Sequence, residues 1–208
     1  ANALTSTSTN AHTGTIAIGH DALTACTTGA GNLAIGYGAM KEHVDGSRNI
    51  AIGYGAMDAT QAGGTQSTSD SSVDNLFIGY DAGGGSWVDA GSNYNVAIGN
   101  YAMDANLYAA IGNTALGYGS LGAVTQGDYN TCSGYNAGQV ITTGHSNVLL
   151  GAGSGTGITT GYQNIIIGRD TAGNVDDDYA HVIIGHSAGG VLNSGNGCVL
   201  IGKDAEVH

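Results

Sequence analysis

Proline is absent from the chain, and lysine and arginine together number only four among 208 residues. Charged residues make up 10%, against roughly 25% in a typical soluble domain, so the polarity comes from Asn, Ser and Thr. With four basic residues and a formal charge of −12, the chain cannot neutralise many phosphates. That argues against a nucleic-acid partner and against anionic membranes. No apolar run approaches the roughly 18 residues of a membrane span, so no membrane insertion is expected. The first ten residues lack the charged and apolar regions of a signal peptide. The chain is nonetheless not disordered in composition, because 41% of it is apolar and the apolar residues recur at fixed positions.

What is present is repetition. An apolar triplet followed by glycine ends at Gly19, Gly36, Gly53, Gly79, Gly99, Gly117, Gly134, Gly151, Gly168, Gly185 and Gly202, with spacings of 17, 17, 26, 20, 18, 17, 17, 17, 17 and 17. A fixed period this short predicts a solenoid in which each repeat is one coil. We expect an all-β chain: a parallel β-solenoid of about eleven 17-residue coils spanning 13–208 as one domain, preceded by an N-terminal segment 1–12. The three cysteines fall in different columns of the repeat. Cys26 and Cys132 would lie roughly 29 Å apart at about 4.8 Å per coil, too far for a disulfide within one chain.

Numbering each repeat from its glycine, positions −3 and −1 are almost wholly apolar and β-branched, as in Ile16 and Ile18 or Ile50 and Ile52. Side chains alternate across a strand, so these two columns share one face and position −2 lies on the other. Position −2 begins small, with Ala17, Ala34 and Ala51, and ends large, with Leu149, Ile166, Ile183 and Leu200. A strand apolar on both faces must be covered on both. One face fills the coil; the other predicts self-association, and Leu149, Ile166, Ile183 and Leu200 are the candidates for the axis of the assembly. Position +3 never exceeds Thr in size, and a second apolar column appears at +7 in the C-terminal half, as at Val124 and Ile141. Glycines near both corners suit tight turns.

Position −4 is Asn in eight repeats, from Asn32 to Asn164, and position +1 is Tyr at Tyr37, Tyr54, Tyr80, Tyr118 and Tyr135. The Asn column reads as a stacked amide ladder, with a ligand-binding row as the alternative. The Tyr column reads as a half-buried ring ladder, with a binding strip as the alternative.

The phrase Asn-x-Ala-Ile-Gly-Tyr-x-Ala-Leu/Met, together with Thr-Thr-Gly turns at Thr27, Thr142 and Thr159, resembles the repeats of phage tail-fibre-type proteins. It is also similar to the head repeats of trimeric autotransporter adhesins of the YadA type, whose Ala-Ile-Gly motif builds a left-handed parallel β-roll. The resemblance implies a homotrimer, extracellular or on a virion tail, that attaches to a host surface glycan or protein. The 17-residue period leans towards the tail-fibre relatives. Many of those carry a C-terminal self-cleaving chaperone, which this sequence lacks. The last coil stops at His208 without a cap, which suggests a piece cut from something longer.

The rhythm breaks twice, with extra residues within Asp58–Asp74 and Gly83–Tyr94. Insertions in a repeat array map to loops, often on the binding face. Trp87 with Tyr94, Tyr101 and Tyr108 forms the candidate aromatic patch for receptor binding, since such rings stack on sugars. The bland alternative tucks Trp87 against the roll. No catalytic residues are expected: a glycoside hydrolase needs two placed carboxylates, and the acids here are scattered over Asp21, Asp81, Asp170 and Asp204 in column +2. Asp176, Asp177 and Asp178 form a solvated corner rather than a calcium site, and His181 and His186 lack ligand spacing. No cofactor or metal is expected. Gly151 to Gly155 is a turn, not a phosphate loop, because no strand–helix unit surrounds it. The expected role is an attachment fibre; a glycan-degrading tailspike and a purely structural filament are the alternatives.

Overall fold

A computed structural model describes residues 3–4, 13–60, 71–88, 90–190, 192 and 195–206. Eleven three-residue strands carry the −3 to −1 triplets: β1 Ile16–Ile18, β2 Leu33–Ile35, β3 Ile50–Ile52, β4 Leu76–Ile78, β5 Val96–Ile98 and β6 Thr114–Leu116, then β7 Thr131–Ser133, β8 Val148–Leu150, β9 Ile165–Ile167, β10 Val182–Ile184 and β11 Val199–Ile201. They form a single parallel sheet in chain order. Every pair is in strict register, with −3 on −3, −2 on −2 and −1 on −1, across the long coils as well as the regular ones. The chain is therefore a β-solenoid of about 17 residues per coil, and no helix forms among the described residues.

Corner glycines make the climb possible. At position 0, φ lies between 132° and 146° in all eleven coils, a region that L side chains rarely enter. A Cβ there would also meet the carbonyl oxygen of the glycine in the next coil, at 2.0 Å for Gly53 and 2.4 Å for Gly117. Conformation and contact both demand glycine at this corner. Positions −5 and +2 are also left-handed throughout, including at non-glycine residues such as Arg48, Tyr94, Asp81 and Tyr101.

The core corrects one expectation about the strand faces. Position −2 points inward: Ala34, Ala51, Phe77, Ala97, Ala115, Cys132, Leu149, Ile166 and Ile183 are fully buried within the coil. Its size is set by position +4, which closes the same coil. Where −2 is alanine, +4 is long: Ala34 with Met40, Ala51 with Met57, Ala97 with Met103, Ala115 with Leu121. Where −2 is larger, +4 shrinks: Phe77 with Gly83, Cys132 with Gly138, Leu149 with Gly155, Ile183 with Gly189. A Cβ on Gly155 would come within 2.7 Å of Leu149, and one on Gly83 within 2.5 Å of Phe77. The drift from small to large at −2 is thus an exchange of volume inside each coil, keeping the core at solid packing density.

Leu149, Ile166 and Ile183 therefore belong to the coil interior rather than to an axis between chains, and Leu200 packs against the same core. The outward face is the other one. Its residues range from half-buried in mid-sheet to Ile18 at 57% and Ile201 at 68% exposed. The face is apolar except at Thr114, Thr131 and Ser133, and no charged residue interrupts it.

A buried amide ladder runs along the molecule. From Asn32 through Asn49, Asn75, Asn95, Asn113, Asn130, Asn147 and Asn164, each Oδ1 accepts both the backbone N–H and the Nδ2–H of the next asparagine, at 2.9–3.3 Å. Each Nδ2 also donates to a turn carbonyl one coil further on, as Asn32 does to Gly46 at 2.7 Å and Asn130 to Gly144 at 2.8 Å. Amides buried this deeply need partners, and the coil period supplies them. His181 takes the ninth place: its N–H donates to Asn164 Oδ1, and its Nδ1 accepts Cys198 N–H at 3.2 Å. All three cysteines are free thiols.

Candidate functional site

Just past the corner glycine, column +1 stacks its rings along the solenoid. His20, Tyr37, Tyr54 and Tyr80 lie at centroid spacings of 5.0–5.2 Å with interplanar angles of 6–8°, and Tyr118 stacks on Tyr135 at 5.4 Å and 12°. A second short row joins His145, Tyr162 and Tyr179 at another corner. In these stacks each inner ring has both faces covered by its neighbours, leaving edges and hydroxyls to solvent. Such rings cannot lie flat on a ligand.

The row is interrupted once. In the coil of Gly99 the +1 place is taken by Asn100, whose Oδ1 accepts the N–H of Tyr80 at 3.0 Å. The ring comes instead from Tyr101 at +2, a left-handed residue with φ 58°. Tyr101 stands across the row, at 63° to Tyr80 and 73° to Tyr118, with centroids 5.4 and 5.5 Å away. Beside it opens a pocket of about 290 Å³ lined by Tyr101, Tyr118, Asp104, Gln139 and the glycines Gly119 and Gly122.

The expected aromatic patch does not assemble. Trp87 is fully buried, donates its indole N–H to Gly83 O at 2.9 Å and packs its ring on Phe77 at 5.6 Å. The physical reason is volume: Gly83 leaves room at +4, and the 20-residue coil carries a tryptophan one place beyond the usual +7 core position. The described residues of 83–94 are also not a protruding loop. Trp87 N–H bonds to Ala59 O and Val88 N–H to Leu107 O, so the extra chain widens a coil while staying in the backbone ladder. Tyr94 is exposed on the −5 corner, and Tyr108 is exposed nine residues before Gly117. Among the described residues no ring contact joins either to Tyr101. Much of the longer insertion, residues 61–70, lies outside the described residues.

Three carboxylates that the sequence scatters are brought near one another by the stacking. Asp58, Asp81 and Asp104 lie on adjacent coils at columns +5, +2 and +5. Partial burial, reinforced by the charges of its two neighbours, raises the Asp104 carboxyl to about 6. Burial and the charges of Asp81 and Glu42 raise Asp58 to about 6 as well. The arithmetic of mixed 26-, 20- and 18-residue coils hid this grouping, which column numbering alone could have found. No group of three metal-ligating side chains forms among the described residues. A larger open groove of about 570 Å³ lies by Asp176, Asp177 and Asp178. Asp176 ties its corner down, its carbonyl accepting the N–H groups of Thr159 and Gly161.

His43 is fully enclosed in the core, with Nδ1 at 3.2 Å from Thr60 Oγ1 and Nε2 at 3.1 Å from Asn49 Nδ2. Burial pushes its pKa down to about 4, so it is a neutral, structural histidine. No described helix is long and apolar enough to cross a membrane. Comparison with protein families, curated proteins and solved structures returns no match to this chain.

Proposed function

We propose that this chain is a rigid, non-enzymatic fibre segment that self-associates as a homotrimer outside the cell or on a virion tail, and that attaches to a host surface glycan or protein. The observation that carries the reading is the uncharged apolar face formed by columns −3 and −1. Eleven strands at about 4.8 Å, each spanning roughly 10 Å, give a flat patch on the order of 500 Å², at the upper end of what monomers leave bare. Three copies turning this face to a common axis would dry it. The resemblance to tail-fibre repeats and to adhesin heads supports the same assembly, and the strict register of the coils supports the rigidity.

Sedimentation equilibrium of the purified chain tests it, with three chain masses expected. Replacing Ile52 and Ile78 on the outward face with Asp should yield monomers, because carboxylates cannot be buried unpaired on a dry axis. A wild-type protein that stays monomeric at tens of micromolar would overturn the proposal.

A further inference from the structure

In the aromatic row of the described residues, one ring alone is not stacked parallel on a neighbour. Tyr101 is turned across the row and meets Tyr80 and Tyr118 in edge contacts, at 63° and 73°. Tyr101 and Tyr118 line the 290 Å³ pocket beside this break, where Gly119 and Gly122 contribute no side chain to fill the space. Asp104 and Gln139 are the polar side chains of its lining, and Gln139 is exposed. This combination occurs where the Tyr column slips from +1 to +2, in the 18-residue coil.

We infer that this break in the row is a binding site for a single pyranose ring of a glycan. The inference rests on reading the chain as an attachment segment and names the ligand class for it. An aromatic face takes the C–H face of a sugar, which is the apolar half of an otherwise polar ring. The Asp104 carboxylate accepts sugar hydroxyls as charge-assisted bonds. The Gln139 amide both donates and accepts, matching hydroxyls that do the same. The alternatives fit less well. An anion would face Asp104 with Asp58 and Asp81 behind it, and a purely apolar ligand would strand the carboxylate and the amide. A small ammonium would use Asp104 but leave most of the volume and Gln139 unused. The volume is at the lower end for ligand pockets and suits one ring rather than a long oligosaccharide. A lone site of this kind binds weakly, and repetition around a trimer would raise its avidity.

Saturation-transfer NMR on the intact chain tests the site, using methyl glycosides of glucose, galactose, mannose and N-acetylglucosamine, with tetramethylammonium as the cationic probe. At least one glycoside should receive saturation with millimolar affinity, strongest on the protons of one ring face. Tyr101→Ala should weaken that binding at least tenfold, and Gln139→Ala, an exposed change that leaves the coil intact, several-fold. Tyr54→Ala, which removes a covered ring, should leave it unchanged. The inference is overturned if no glycoside binds, if tetramethylammonium alone binds, or if Tyr54→Ala costs as much as Tyr101→Ala. Sedimentation of the same samples separates the two readings: a trimer that binds no sugar retains the fibre and loses the site, whereas a sugar-binding monomer does the reverse.

Discussion

At the residue scale, the exchange of volume between −2 and +4 is the point where this sequence most directly dictates its structure. Leu149 fills a coil whose other wall is Gly155. Leu149→Ala should therefore cost about 2–5 kcal/mol through lost burial and an unfilled cavity. Adding Gly155→Met should recover a large part of that loss, because it converts the coil to the Ala–Met type already present at Ala34 and Met40. Recovery is incomplete, since φ at Gly155 is 70° and a side chain in that region carries a strain of roughly 1–2 kcal/mol. Chemical denaturation of both single variants and the double variant measures the coupling; strictly additive effects would dismiss the exchange. The same pairs were legible in the sequence. Period-two alternation shows that a strand has two faces but not which one looks inward. The interior is the face whose volume is compensated within its own coil, and Phe77 with Gly83 is the pair that would also have placed Trp87 inside.

At the scale of the element, the amide ladder was legible from its column, because eight asparagines at one position can satisfy one another only by stacking. Its continuation through His181 was not, since a histidine gives no hint of which ring nitrogen will accept. Cys198 N–H donates to Nδ1, which places the ring proton on Nε2, a buried atom without a hydrogen-bond partner. Asp178 lies 4.0 Å away from that nitrogen. Burial lowers the His181 pKa, as it does that of His43. For both, the unfolded chain takes up a proton near the ordinary value of 6.5 before the folded chain does, so their contribution to stability is complete above about pH 6.5 and is lost on acidification. Asp58 and Asp104 act in the opposite sense. Raised from 3.8 to about 6, they protonate first in the folded chain and offset the histidines as pH falls from about 6 to 4. Replacing both aspartates with Asn should therefore steepen the fall of the urea midpoint between pH 6.5 and 4, and the protection of the Cys198 amide against exchange, relative to its intrinsic rate at each pH, should fall over that range. A variant whose profile runs parallel to wild type would show that these groups do not set the acid response.

At the scale of the whole molecule, the architecture was legible in the period of the corner glycine, and the assembly and candidate site were less so. The outward face could be counted but not oriented from sequence, and the sugar pocket depends on a ring turning out of the stack, by 63° from Tyr80 and 73° from Tyr118, where Asn100 displaces Tyr101 by one residue. Coils that close their own cores and meet only their neighbours should be removable as units. Deleting residues 134–150, a full period that joins Ser133 to Gly151, should leave a cooperatively folding protein with one coil fewer. Deleting 16 residues from the same stretch should not, because a one-residue slip turns every later side chain to the wrong face. Circular dichroism and thermal melts distinguish the two, and equal collapse of both deletions would contradict the independence of the coils. The consequence reaches beyond stability. A gene encoding such a chain can lengthen or shorten its product by copying or losing whole units of seventeen codons, so reach becomes a counted quantity, adjustable in steps of about 4.8 Å with no new packing problem to solve.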